Sequence, residues 1–148
     1  MTEQNEERTV NVTVSPVIKS RNFTCAMTRP DVNSLKDPHD IYDVCEAFQS
    51  CVHDVTFKRT KDGTIMTIMV NNFVMPDKTT TIWSNLGKLF DDDGASYVTI
   101  YNYDTEGQAL TTERYVLEDI ELTRVLSHED NLPQRIKIDG MIVREEVI

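Results

Sequence analysis

Residues 96–125, SYVTIYNYDTEGQALTTERYVLEDIELTRV, decide how the rest of the chain is read. Val98 and Ile100 alternate with Tyr97, Tyr101 and Tyr103, which is the period-two pattern of a strand with two distinct faces. The run DTEG at 104–107 supplies turn chemistry, and a second strand returns from it. On that return Tyr115 and Leu117 occupy odd positions, whereas Ile120 and Leu122 occupy even ones. Side-chain parity changes only where a ladder is interrupted, so the sequence predicts a bulge or bend near Glu118 and Asp119. A loop, SHEDNLP, separates this pair from a last strand, RIKIDGMIV, with Ile136, Ile138 and Ile142 inward.

Upstream, Asp62-Gly63 reads as a hairpin turn between a strand carrying Val55 and Phe57 and the apolar run Ile65–Met75. In that run Met66, Ile68, Val70 and Val74 share one face, and Ile65, Met69, Phe73 and Met75 the other. A strand apolar on both faces needs cover on both, and a neighbouring subunit is one candidate cover. PDKTTTIWSNLGKLFDDDG at 76–94 is the best helix candidate, capped by Asp77 or Thr79, with a stripe of Ile82, Leu86, Leu89 and Phe90. Its three threonines lower its propensity, so packing must hold it. Residues 41–55 fit helical spacing through Ile41, Val44, Cys45, Phe48, Val52 and Val55, and fit strand alternation less well. Val10, Val12 and Val14 mark an early strand ended by Pro16, and Phe23, Cys25 and Met27 one face of another. Residues 29–40, with two prolines and an Asn-Ser pair, read as a long loop.

The whole is 148 residues, 39% hydrophobic and 27% charged, the composition of a single folded domain. No stretch approaches the roughly 20 apolar residues that a membrane-spanning helix requires, so no membrane anchor is expected. MTEQNEERTV is polar and acidic, unlike a secretory signal, which predicts folding in a cytoplasm. A net charge of −10 disfavours ordinary binding to phosphate backbones.

Catalytic chemistry finds little footing. His39, His53 and His128 each neighbour an acidic residue, but adjacent strand residues point to opposite faces. No nucleophile elbow, zinc-protease motif or phosphate-cradling loop occurs. Asp91–Asp93 lack the ligand order of a calcium loop, and Cys25, Cys45 and Cys51 lack metal-ligand spacing. The expectation is no enzyme, no cofactor and no metal. Lys58, Arg59 and Lys61 form a small basic cluster without interleaved aromatics, which reads as a soluble hairpin tip. If 45–51 is helical, Cys45 and Cys51 lie on different faces about 9 Å apart along the axis and cannot bridge.

The order of elements carries a resemblance. GTIMTIMVNNFVM, then TTTIWSNLGKLF, then IYNYDTEGQALTTERYVLEDIELTRV and QRIKIDGMIV resemble the tail-tube proteins of contractile-tailed bacteriophages. Those proteins share a fold with the haemolysin-coregulated ring proteins of type VI secretion. The likeness is strongest over residues 64–143. It implies a mainly β (α+β) fold, an antiparallel β-sandwich or small barrel with one flanking α-helix. It also implies hexameric rings stacked into a virion tail tube, with sheath and baseplate proteins as partners and DNA passing without specific binding. Residues 1–10 become an interface arm, 11–148 one domain, and 29–40 an interface loop. Ring and stacking contacts then fall to Ile65, Met69 and Phe73 and to Pro30, Asp31 and Leu35, and inter-subunit disulfides to Cys25, Cys45 or Cys51. The chain departs from the family where 41–55 reads partly as helix instead of strand, and its cysteines match no family position. Rival readings are a baseplate tube initiator or tail terminator, a secreted ring protein, and a small α+β enzyme using His53 or His128.

Overall fold

A computed structural model describes residues 23–76, 79–125 and 134–147. The readings of residues 1–10 as an arm, of Val10–Val14 as a strand and of the loop holding His128 fall outside the described residues. The described chain is mainly β. Six antiparallel strands form one curled sheet, a half-barrel. They are β1 (Phe23–Thr28), β2 (Val52–Thr60), β3 (Gly63–Asn71), β4 (Ser96–Tyr103), β5 (Ala109–Val125) and β6 (Arg135–Val147). Their spatial order is β1-β4-β5-β6-β3-β2, so the long β5–β6 pair is the seam joining the β1–β4 half to the β2–β3 half.

The turns follow the sequence. Asp104 Oδ1 accepts from the backbone N–H of Glu106 and Gln108, and Gly107 adopts a φ of 85°. This closes the β4–β5 hairpin as the DTEG pattern predicts. The β2–β3 hairpin turns through Lys61 and Asp62, with Thr60 paired to Gly63 at a φ of 140°. One side of the sheet carries the core: Met27 on β1, Met66 and Ile68 on β3, Ile100 on β4, Leu117 on β5, and Ile136 and Ile138 on β6 are all buried.

The expected bulge in β5 is present. Glu118 pairs with Met141 and Glu121 with Asp139, so Asp119 and Ile120 together oppose Gly140. Asp119 takes a left-handed φ of 51°, a conformation that aspartate tolerates better than most residues. Gly140 is what lets the bulge close. A Cβ there would lie 2.9 Å from Leu117 Cδ1, 3.1 Å from Leu117 Cβ and 3.2 Å from Ile120 Cγ1. The two side chains thus fill the place a residue-140 side chain would take. A second register shift, between Val116 and Leu117, leaves Val143 without a partner and keeps Ile142 against the core.

The helical segments redistribute. Residues 41–55 divide into helix and strand: α1 spans His39–Cys51, and β2 begins at Val52. Ile41, Val44, Phe48 and Cys51 bury one face of α1 against the sheet, chiefly β1. The loop from Arg29 therefore ends at Pro38, not at residue 40, and contains a 3-10 turn at Val32–Ser34. Where the sequence favoured its main helix, α2 is one turn, Ile82–Asn85, followed by a 3-10 turn at Leu86–Leu89. The cap is Thr81, not Thr79, and Asp77 lies outside the described residues. Thr81 holds an extended backbone, bridges to Val74, and exchanges capping hydrogen bonds with Ser84. The low helix propensity of the β-branched threonines, with Thr81 extended as the cap, delays the start, and Gly87 weakens continuation. The predicted stripe survives, because Ile82, Leu86 and Leu89 are all buried. A further correction follows from the end of β3 at Asn71. Beyond it the alternation lapses, so Val74 is exposed and Met75 buried, the reverse of the faces read from the sequence.

Gly140→Ala should lower stability by about 1–3 kcal/mol, the usual cost of overpacking. Urea unfolding measures it; an unchanged midpoint would show that the seam is slack.

Candidate functional site

Three features stand out on the surface: two sheet edges, a groove beside α1, and a basic hairpin tip. Among the described residues β1 pairs only with β4, and β2 only with β3. Each therefore has an edge that no other described strand fills. The β1 sequence, FTCAMT, contains neither charge nor proline, whereas β2 carries His53, Asp54, Lys58 and Arg59. Charges and prolines are what usually deter an edge from pairing with another chain. Among the described residues, then, nothing deters the β1 edge from serving as a template for strand addition.

The groove, about 620 Å³, lies between α1 and the segment after β3. Val44 and Ala47 of α1, with Met75 and Ile82, form its apolar wall, and Phe73 and Val74 stand open beside it at 47% and 59% exposure. Its rim is acidic. Asp40, Asp43 and Glu46 recur every third residue along one flank of α1, all exposed, and face Lys88. Asp40 also sits in the first turn, where a carboxylate complements the helix dipole. Asn85, buried in the wall, is satisfied: its amide donates to Thr80 Oγ1 at 3.1 Å and to Thr81 O at 2.8 Å. The hairpin tip carries Lys58, Arg59 and Lys61, all exposed, at the far end of β3 from the groove.

The residues singled out for ring contacts do not form one surface. Ile65 and Met69 lie on the outer face of β3, half-buried, whereas Phe73 follows the strand end and opens onto the groove. Pro30, Asp31 and Leu35 lie together in the loop before α1. Asp31 there takes a bidentate pair from Arg29, at 2.6 and 2.9 Å, whose hydrogen bonds hold its carboxyl below the usual range. This pair orders the loop. The groove itself went unread in the sequence, although its rim was visible as acidic residues at three-residue spacing beside the apolar stripe of α1.

The cysteines are all free thiols. Cys45 and Cys51 sit on one helix, six residues apart, so the bridge excluded for a helix stays excluded. Cys25 is fully buried, and burial pushes its thiol up to about 12. Burial also raises Cys45 and Cys51. Cys45 is half-buried, whereas Cys25 and Cys51 are buried.

A polar network closes the core near the β4–β5 turn. Glu113 accepts from the Tyr115 hydroxyl at 2.7 Å and from the Asn102 amide at 3.0 Å. Burial, and then the Glu113 contact, raise the Tyr115 hydroxyl well above its ordinary value. Phe57 meets the Tyr115 ring edge-on at 5.4 Å, which ties β2 to β5 across the curl. On the other flank Arg124 lies 4.6 Å over the Trp83 ring, joining α2 to the far end of β5. His39 and His53 lie at opposite ends of α1, about 20 Å apart. The two are not brought together, and no group of three or more metal-ligating side chains occurs among the described residues. Comparison with protein-family models, with curated proteins and with solved structures gives no match.

The buried Cys25 thiol keeps its proton to higher pH in the folded chain than in the unfolded one, where it ionises near 9. Its contribution is whole below pH 9 and drains away as the pH rises toward 12, at no more than about 1.4 kcal/mol per pH unit. The urea midpoint should therefore fall between pH 8 and pH 11, and Cys25→Ala should flatten that slope even while lowering stability at pH 8. An equally steep slope in Cys25→Ala would assign the alkaline loss to other groups, Tyr115 first among them.

Proposed function

We propose that this chain is a structural subunit that joins copies of itself edge to edge into a ring, the rings stacking into a tube like the phage tail tubes it resembles. The observation that carries this reading is the open half-barrel in which, among the described residues, no strand fills the edge at either end, one of the two being uncharged. A free monomer with such an edge is exposed to uncontrolled strand addition. Pairing β1 of one copy with β2 of the next removes both edges at once and continues the sheet around a closed ring. Such a contact is head-to-tail, so every copy uses the same two edges.

Charge supports the same reading. A wall built from subunits of net charge −10 repels a nucleic-acid backbone and lets it slide by without sticking. On this reading the subunit performs no catalysis, needs no cofactor, and works in a virion tail beside sheath and baseplate proteins after synthesis in a host cytoplasm.

Purified protein viewed by negative-stain electron microscopy across a concentration series should form rings with a central hole. Ala26→Lys, which puts a charge on the outer face of the β1 edge, should raise the concentration needed for rings at least tenfold, equivalent to about 1.4 kcal/mol per contact. Persistent monomers at high concentration would sink the tube reading. Rings that never lengthen would favour a single-ring baseplate or terminator component.

A further inference from the structure

The edges account for growth around a ring and leave the groove beside α1 and the basic tip of the β2–β3 hairpin unused. We propose that these two are partners: the acidic groove of one copy receives the hairpin tip of a second copy. The inference deepens the tube reading, on which it rests for its place between successive rings.

The charges match. At the groove, Asp40, Asp43 and Glu46 outnumber Lys88. At the tip, Lys58, Arg59 and Lys61 outnumber Asp62, and no other four-residue stretch of the chain holds three basic side chains. Lys58 has contacts within its own chain, so Arg59 and Lys61 are the residues assigned to the rim.

The side-chain chemistry matches as well. Arginine and lysine lay their alkyl stems along apolar surface while their charged heads stay at a polar border. Phe73 and Val74 supply the surface, and the carboxylates on the flank of α1 supply the border. A guanidinium over the Phe73 ring gains a cation–π contact in addition. A foreign apolar peptide would satisfy the wall of the groove but not its rim.

Geometry forbids the contact within one copy. The tip and the groove lie at opposite ends of β3, which runs nine residues from Gly63 to Asn71. At about 3.3 Å per residue that separation is roughly 30 Å. The tip can reach a groove only on another molecule, and because the two features point along opposite directions of one hairpin the contact is head-to-tail. A head-to-tail contact closes into a ring only where its rotation brings the chain of copies back on itself; between rings stacked along one axis it propagates. It therefore gives the assembly a polarity, distinct from the lateral pairing of β1 with β2.

Charge reversal in the full-length protein tests this. The tip pair Arg59→Glu/Lys61→Glu, the rim pair Asp43→Lys/Glu46→Lys, and the quadruple variant are compared with wild type by sedimentation velocity and by electron microscopy at low salt. All substituted positions are exposed, and circular dichroism checks that each variant is folded. Each pair alone should weaken axial association at least tenfold, and the quadruple variant should recover to within a few-fold of wild type. Wild-type stacking should also weaken as added salt screens the contact. The milder Lys61→Gln and Glu46→Gln should give smaller losses in the same direction.

Loss in both pairs without recovery in the quadruple variant would overturn the pairing. So would loss in the rim pair alone, which would assign the groove to some other segment or partner. Wild-type rings that never stack would overturn it while leaving the ring reading intact. Conversely, if Ala26→Lys abolishes rings while tip-to-groove oligomers persist, the axial contact stands and the failure belongs to the edges. Wild type that stays monomeric at every concentration overturns both.

Discussion

The structure depends on a close approach at one backbone position. Gly140 in β6 faces the β5 bulge, and Leu117 and Ile120 close over it at distances that leave no room for a Cβ. The site lies on the central seam, where every hydrogen-bond path from the β1–β4 half to the β2–β3 half must cross. A bulge adds a residue to one strand only, which bends the pair and increases its twist. Without that bend the seam would flatten, and two half-sheets of this length would not curve over a single helix. Glycine's small size thus decides the shape of the sheet far from residue 140.

The curl in turn sets where α1 sits. Phe48, Val44 and Cys51 enter the core, and Cys25 and Met27 of β1 join them there. Ser96 helps fix the arrangement: its hydroxyl lies 2.8 Å from Leu89 O and 3.0 Å from Thr28 O, tying β4 to the 3-10 turn and to the end of β1. With its apolar face committed inward, α1 must turn its acidic flank toward the segment after β3. The groove is the consequence. Its acidic rim and the basic tip are separated by the length of β3 because one faces each end of the same hairpin. A molecule with complementary charge at its two ends and, among its described residues, a strand edge on each side that no other strand fills is suited to assembly in two directions, which is the sense in which the tube reading and the tip-to-groove contact support each other.

Much of this was legible in the sequence. Period-two alternation in 96–103, the odd positions of Tyr115 and Leu117, the Asp62-Gly63 turn and the DTEG turn are local signals, and the parity switch between Leu117 and Ile120 located the bulge to within two residues. The likeness of 64–143 to tail-tube proteins supplied the functional expectation, which stays a proposal. The helices were less legible. Residues 41–55 hold helix and strand end to end, so a single window mixes two periods. The stripe at 82–89 had the right faces but not the length, because stripe and threonine propensity disagree and the bridge of Thr81 to Val74 settles the contest.

What the sequence by itself determined are the features set between neighbours along the chain: which runs are strands, where they turn, which faces are apolar and where the register must slip. Only the tertiary structure decided the rest. That Gly140 lies opposite the bulge, that α1 rather than the 82–89 segment is the principal helix, that Phe73 parts company with Ile65 and Met69, and that the acidic flank of α1 borders a groove all depend on the strand order β1-β4-β5-β6-β3-β2. The physical reason is that packing selects among local options by burial. A side chain's surroundings are set by strands and helices tens of residues away, and no local period records which of them will arrive.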